Sequence, residues 1–461
     1  MRVLFTVYAA KTHFYNMVPL AWALRAAGHE VCVATPPELV AAVTNAGLPV
    51  VPAGDGPEPD PDHATGSDHV TSTGTWQSLT AGMTETRPEE LTWDYVLGAF
   101  TVACSLHYEH MTGGRSMLDA VVEFAQRWRP DLVIWDAMTF AGPVAAQVCG
   151  AAHARFLFGL DYIARMYGDY HRLLEAQHPQ RRDDPIGDWL AGRLDRFGAV
   201  YDPALQRELM TGQWTIDPTP EWMRLPLDLP YVALRYVPYN GMTVVPDWVR
   251  RRPERPRVCL TLGMTGRENL GGDLVSIGEL LDAIASLDIE LVATLTADQL
   301  GSYEAPDNVR VVDFVPLNEI LPTCSAIIHH GGFGSLGNAM AHGVPHLIVP
   351  GRYWDEVDFG RLLDSRGAGL YLDPYRMAGD ALKSKLSVEA LREKLTELLA
   401  DPGYLGNARQ IRSELRSTPS PNDLVPVLEE FAAKHHGGAS GAAGAARGRI
   451  PASPHVSEGP S

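Results

Sequence analysis

The densest group of chemically useful residues is Ile327-Ile328-His329-His330-Gly331-Gly332-Phe333-Gly334-Ser335. An apolar strand runs into a glycine-rich turn there, and Ser335 to His342 continues at helical spacing. Glycines let backbone N–H groups approach an anion, and a helix N-terminus adds positive partial charge. His330 and Ser335 can each donate to a phosphate oxygen, and Ser335 can equally cap the helix. A tight turn with a capping serine would account for the glycines alone. The tandem histidines move the balance toward a phosphate site. A second glycine turn, Leu262-Gly263-Met264-Thr265-Gly266, follows another apolar strand. In a doubly wound sheet both turns emerge at the carboxyl edge of the strands, and two turns suit a diphosphate better than one. Neither has the G-x-G-x-x-G spacing of a dinucleotide site. The first strand leads into Ala9-Ala10-Lys11-Thr12-His13, without glycine, which disfavours a hydride-transferring dehydrogenase.

Other candidates stand at similar places. His13 is read in the loop after the first strand, and Asp136 ends the strand Leu132 to Trp135. A carboxylate that accepts from one ring nitrogen leaves the other able to take a proton, the logic of a His–Asp pair. Sequence alone does not decide whether the two meet. Pro350-Gly351-Arg352-Tyr353-Trp354-Asp355-Glu356 follows the strand His346 to Val349. An acid beside an aromatic ring can hold sugar hydroxyls, or Asp355 can simply cap a helix starting near Val357. A metal site is disfavoured, because His329 and His330 project oppositely on a strand and lack a nearby third ligand.

The elements that must position these residues fall into two α/β units. Arg2 to Tyr8 reads as a strand, Val18 to Ala27 as a helix ended by Gly28, and Glu30 to Ala34 as a strand. Short joins in the order β-α-β require a parallel sheet, since a parallel return needs a crossover. Residues 53 to 75 read as a long surface loop, and 92 to 128 return to helical spacing. The stretch 170 to 230, rich in Arg, Asp, Trp and Pro, gives no clear order of elements. The second unit begins near Pro256: strands over Arg257 to Gly263, Glu290 to Thr294, Val309 to Val315, Ala326 to His329 and His346 to Val349 alternate with helical patterns. A Pro- and Arg-rich segment, 238 to 256, joins the units, and two facing halves make a cleft for a ligand. Beyond about residue 437, small residues without period predict a disordered tail.

Composition narrows the function classes. The chain has 461 residues, 38 Lys+Arg and 56 Asp+Glu, a net charge of −18 that argues against nucleic-acid binding. Its 45% hydrophobic and 20% charged content is that of a globular protein. No apolar run reaches the ~18 residues of a membrane span, and the start reads as mature structure and not as a signal peptide. Five scattered cysteines without a CxxC fit reduced thiols in the cytoplasm.

Taken in order, these residues resemble the nucleotide-sugar-dependent glycosyltransferases of GT-B fold, over roughly residues 1 to 433. The resemblance rests on the histidine-bearing first loop, Pro19-Leu20 and Gly28-His29-Glu30-Val31. Its carboxyl-terminal part runs from Phe314-Val315-Pro316 through His330-Gly331-Gly332, Gly334-Ser335, Pro345 and Pro350 to Asp355-Glu356 and Gly367-Ala368-Gly369. Arg87-Pro88, Leu91 to Gly98, Trp128 to Trp135, Gly212 to Pro218 and Leu260 to Asn269 are similar to the subgroup that attaches TDP-deoxysugars to macrolides and related polyketides.

The resemblance implies an α/β fold of two Rossmann-like doubly wound domains facing a central cleft: an acceptor domain over 1–237, a linker over 238–256 and a donor domain over 257–417. A helix over 418–436 would pack back on the acceptor domain, and the tail occupies 437–461. It also implies an inverting, metal-independent transfer of a deoxyhexose or aminodeoxyhexose from a TDP-sugar to a polyketide hydroxyl, with no cofactor. His13 matches the general base and Asp136 its orienting acid. His330, Gly332, Ser335 and Thr265 match diphosphate contacts, within the turns that hold Gly263, Gly331 and Gly334. Val315 matches the backbone contact to the nucleobase, and Asp355 the acid that meets the sugar. Asn16 stands where many members have proline, and Glu356 where many have glutamine; the acid suits an amino or deoxy sugar. Partners implied are a haem-monooxygenase-like auxiliary protein without activity of its own, and a second copy in a homodimer. Two other readings share the architecture: a nucleotide-sugar 2-epimerase, which needs acids and bases around the sugar, and a non-catalytic donor-binding helper, against which His13 and Asp136 argue.

Overall fold

The computed structural model describes residues 1–55, 83–101, 116–261, 277–296, 300, 303–350, 354–372 and 387–435. Among them are two parallel sheets. The first contains β1 (Arg2–Thr6), β2 (Glu30–Thr35), β3 (Val50–Pro52), β4 (Leu132–Asp136), β5 (Ala152–Phe156), β6 (Trp214–Asp217) and β7 (Tyr231–Ala233), in the order β3-β2-β1-β4-β5-β6-β7. The second contains β8 (Arg257–Thr261), β9 (Glu290–Thr294), β10 (Val309–Val312), β11 (Ala326–His329), β12 (His346–Ile348) and β13 (Gly369–Tyr371), in the order β10-β9-β8-β11-β12-β13. Strands β4, β5 and β8 are buried along their whole length. Helices lie on both faces of such sheets, so the central strands read as continuous apolar runs.

Each sheet reverses its strand order once. The chain steps outward from β1 to β3, then returns to lay β4 along the other side of β1, Thr6 beside Trp135. The second sheet repeats this between β8 and β11, Thr261 beside His329. Loops part at a reversal and leave a crevice at the carboxyl ends of the two strands.

The first helix begins earlier than the apolar spacing predicts. It spans Lys11–Ala26 with Pro19 inside, so His13 lies in its first turn and not in a loop. Pro19, with the polar residues Lys11, Thr12, His13 and Asn16 ahead of it, hides the helical period. Burial of Phe14, Met17 and Val18 against the sheet overrides the local cost of the proline. The undecided stretch after β5 holds the helices Tyr162–Ala176, Pro185–Arg196 and Gln206–Thr211.

At its end the chain returns to the amino-terminal half. The helix Pro421–His435 buries Leu424, Val425, Leu428 and Ala432 in one cluster with Phe14, Val18 and Leu24. The connection after β7 is held by the second half. Tyr236 lies over Gly337, where a Cβ would come within 2.7 Å of its ring, and Asn338 Nδ2 donates to the Tyr236 hydroxyl at 3.1 Å. The predicted loop beyond Asp55 and the tail from 437 fall outside the described residues.

Candidate active site

His13 and Asp136 meet at the reversal of the first sheet. His13 follows β1, Asp136 is the last residue of β4, and Nδ1 lies 2.7 Å from Oδ2. Asp136 is buried, and its other oxygen accepts the Met138 N–H at 3.0 Å. An ionised carboxylate only accepts, so the Nδ1 facing it carries the proton and Nε2 is left as the acceptor. The Tyr8 hydroxyl lies 3.2 Å from Nε2, with its ring edge-on to the imidazole. Burial, and then the Asp136 charge, push the Tyr8 phenol well above its usual range, so it stays neutral and donates. Phe158 packs on the other side of His13, ring centroids 3.8 Å apart.

The second sheet places His330 just past β11, at its own reversal. The helix that follows spans Phe333–His342. Its N-cap is Gly332, so Ser335 lies inside the first turn and does not cap it. The first-turn N–H groups have no carbonyl within the helix, as at any helix start, and are available to an anion. Gly331 has φ +109°, and its N–H donates to His329 Nδ1 at 3.1 Å. That bond leaves the His329 proton on Nε2, which donates to His346 Nδ1 at 3.0 Å. A Cβ at Gly332 would collide with His330 Nε2. His330 is mostly buried, its Nε2 is 3.8 Å from Glu356 Oε1, and its buried Nδ1 has no partner. Burial lowers its pKa to about 4, which keeps the ring neutral.

Asp355 occupies the N-cap position of the helix Glu356–Ser365, yet its side chain makes no cap hydrogen bond. Its Oδ2 instead accepts the Leu160 N–H of the other half at 2.8 Å. Burial dominates its environment and raises its pKa to about 8, so near neutral pH it is largely a carboxylic acid. A protonated acid can donate as well as accept. Trp354 beside it has φ +49°, a backbone region that costs a bulky residue on the order of 1–3 kcal/mol. Its ring is 5.4 Å from that of Phe158, so aromatic contacts run from His13 across the cleft to the donor half.

Of the residues singled out from the sequence, His13 with Asp136, and His330, Gly331, Gly332, Gly334, Ser335, Asp355 and Glu356 form two groups facing one cleft. Val315 is buried past β10 among Ile320, Ile327 and Ala339, with its backbone between the strand and a short helix. Gly263 and Thr265 lie outside the described residues. Sequence reasoning missed Tyr8, Phe158, Gly159 and Leu160. Phe158-Gly159 lies just past β5, after Leu157, at the carboxyl edge, and that position is the available signal. Among the described residues no group of three or more His, Cys, Asp or Glu side chains is placed to hold a metal ion.

Comparison with known proteins matches both halves of this architecture. The model of the erythromycin biosynthesis protein CIII-like N-terminal domain fits residues 22–263, and that of the CIII-like C-terminal domain fits residues 278–431. The chain belongs to the erythromycin CIII-like glycosyltransferases. It is 49% identical over 458 residues to the aclacinomycin-T 2-deoxy-L-fucose transferase of Streptomyces galilaeus, covering 97% of this chain and 100% of that one. It is 44% identical to the 10-deoxymethynolide desosaminyltransferase of Streptomyces venezuelae, covering 94% and 98%. The glycosyltransferase VinC, solved in complex with dTDP, superposes with a TM-score of 0.80 at 41% identity, covering 94% of this chain and all of that one. As a CIII-like glycosyltransferase the chain has the GT-B architecture, and the two sheet reversals are the crevices of its two halves. Among the described residues, no helix of this CIII-like chain is long and apolar enough to cross a membrane.

Proposed function

We propose that this glycosyltransferase moves a deoxyhexose from a TDP-sugar to a hydroxyl of a polyketide aglycone, with inversion, in antibiotic biosynthesis. The observation that carries the reading is the His13–Asp136 pair, 2.7 Å apart, on the cleft that the His330 turn also faces. His13 Nε2 takes the proton of the acceptor hydroxyl as its oxygen attacks the sugar's anomeric carbon. The imidazolium that results is stabilised by Asp136 through Nδ1–H. The bond from the anomeric carbon to the diphosphate breaks, and TDP leaves from the opposite face. A positioned base of this kind supplies roughly 10²–10⁴-fold. Charge growing on the departing diphosphate meets the first-turn N–H groups of the helix Phe333–His342, with the neutral His330 ring beside them as a further donor. This scheme needs no divalent ion, and turnover is expected to survive a chelator. The Tyr8 hydroxyl at 3.2 Å from Nε2 supports this reading, since it is an O–H held at the nitrogen that would take the acceptor proton.

The named relatives transfer deoxysugars and aminodeoxysugars, and among their acceptors are the macrolactone 10-deoxymethynolide and aclacinomycin-T. For this chain TDP-2-deoxy-L-fucose is the first donor to try, because the relative at 49% identity is a 2-deoxy-L-fucose transferase. A haem-monooxygenase-like auxiliary protein, a homodimer and a cytoplasmic location belong to the same reading. The free thiols of Cys32, Cys149, Cys259 and Cys324 support the last. The test is incubation with TDP-2-deoxy-L-fucose and a panel of macrolactone and anthracycline acceptors, with and without the auxiliary protein, read by mass spectrometry. A glycoside is expected; TDP release without glycoside would sink the reading.

A further inference from the structure

One of the contacts between the two halves is made by the backbone of a single residue. Leu160, in the turn after β5, has both its polar groups taken by consecutive side chains of the other half. Its N–H donates to Asp355 Oδ2 at 2.8 Å, and its C=O accepts from Trp354 Nε1 at 3.3 Å. The preceding residue has to be glycine, since a Cβ at Gly159 would run into Asp355 Oδ2. Two residues further on, the Tyr162 hydroxyl bonds the Asp358 carboxylate. Leu160 and Asp355 are both buried, so the bond between them is shielded from water. On the opposite side Trp354 is held at φ +49°, a conformation that persists only where its surroundings enforce it.

We propose that the Gly159-Leu160 backbone is a positioning element for the donor sugar: it fixes the Asp355 carboxyl, so hexose recognition is completed only when the two halves are clasped. The inference rests on the reading of Asp355 as the acid that meets the sugar. Nucleotide and diphosphate contacts lie within the carboxyl-terminal half, around Val315 and the His330 turn, and need no help from the clasp. The hexose differs, because its acid is oriented by a peptide group of the acceptor half. Sugar affinity is thereby coupled to cleft closure, while TDP affinity is not. Closure also excludes the water that would otherwise hydrolyse the donor.

The experiment titrates the full chain calorimetrically with TDP and with TDP-2-deoxy-L-fucose, and measures KM for that donor. Gly159→Ala should weaken the TDP-sugar about tenfold and raise its KM similarly, the loss of one buried hydrogen bond, with TDP affinity unchanged within about twofold. Trp354→Phe keeps an aromatic ring, though a smaller one, and removes the indole N–H to Leu160, and should weaken the TDP-sugar about threefold with TDP again unchanged. It decides the matter if Gly159→Ala does not fold. Equal losses of TDP and TDP-sugar in these variants would overturn the proposal, because the contacts would then only hold the fold. Asp355→Ala separates the underlying reading. If it leaves TDP-sugar affinity intact, the sugar acid is misassigned and the proposal falls with it. If it weakens the TDP-sugar while the other two variants do not, the assignment stands and the clasp is wrong.

Discussion

Each half places a histidine at its strand reversal, past β1 in the first and past β11 in the second, on opposite strands of the reversal and in opposite surroundings. His13, past β1, has a carboxylate at 2.7 Å on Nδ1 and a tyrosine hydroxyl on Nε2. His330, past β11, has its nearest carboxylate oxygen at 3.8 Å, a buried Nδ1 without a partner, and a pKa lowered to about 4 by burial. The first ring has a carboxylate to orient it, and burial keeps the second ring neutral. A neutral ring beside a helix N-terminus suits an anionic ligand that arrives and leaves, whereas a ring held by a carboxylate suits proton transfer. The same fold unit, used twice, thus supplies a base on one wall of the cleft and an anion site on the other. What differs is the residue across the crevice: Asp136 ends the strand beside β1, but the strand beside β11 on that side, β8, ends in Thr261.

That contrast can be broken experimentally. His13→Ala should lower kcat by roughly 10³-fold, within the range a positioned base supplies, and retained turnover would remove His13 from that role. Asp136→Asn keeps the shape and removes the charge that steadies the imidazolium; kcat should fall roughly a hundredfold. An unchanged kcat would mean the pair is only structural. A third effect sits mainly in the donor half. Burial holds the pKa of His330 at about 4 and of His346 at about 3, that of His329 well below 6.5, and that of His153 in the first half at about 3. An unfolded histidine titrates near about 6.5, so as pH falls the unfolded chain takes up these protons first. Stability is therefore full above about 6.5 and is lost progressively toward about 4, each histidine costing up to about 1.4 kcal/mol per pH unit. Thermal unfolding should show Tm several degrees lower at pH 5.5 than at 7.5; a flat profile would contradict the buried neutral rings. The smallest effect is expected of Tyr8→Phe, which removes the hydroxyl competing for Nε2. The acceptor KM should fall about two- to threefold with TDP affinity unchanged.

Much of this was legible in the residues, and the rest was hidden for physical reasons. The parallel order showed in runs such as Leu132 to Trp135 and Ile327 to His329, because strands covered on both faces carry little polar punctuation. The edge position of His13, Asp136 and the His330 turn followed from their places after strands. The start of the first helix did not, since Pro19 argues locally against it while packing of Phe14 and Met17 decides for it. Ser335 and Asp355 were both read as possible caps by type, but the helix start at Gly332 and the pull of the Leu160 N–H gave them other places. The helices after β5 carry their signal in capping aspartates: Asp184 before Pro185 accepts the Gly187 N–H at 3.0 Å, and Asp161 accepts that of Ala164 at 3.1 Å. The clasp joins residues 195 apart, a distance that no local pattern spans.

The division of labour between the two histidines is tested most directly by TDP titration of His13→Ala and His330→Ala side by side. The account predicts that His330→Ala binds TDP about tenfold more weakly, the loss of one charge-assisted hydrogen bond, while His13→Ala binds it as the parent does. Equal TDP affinity in the two variants, or weaker binding in His13→Ala alone, would contradict it.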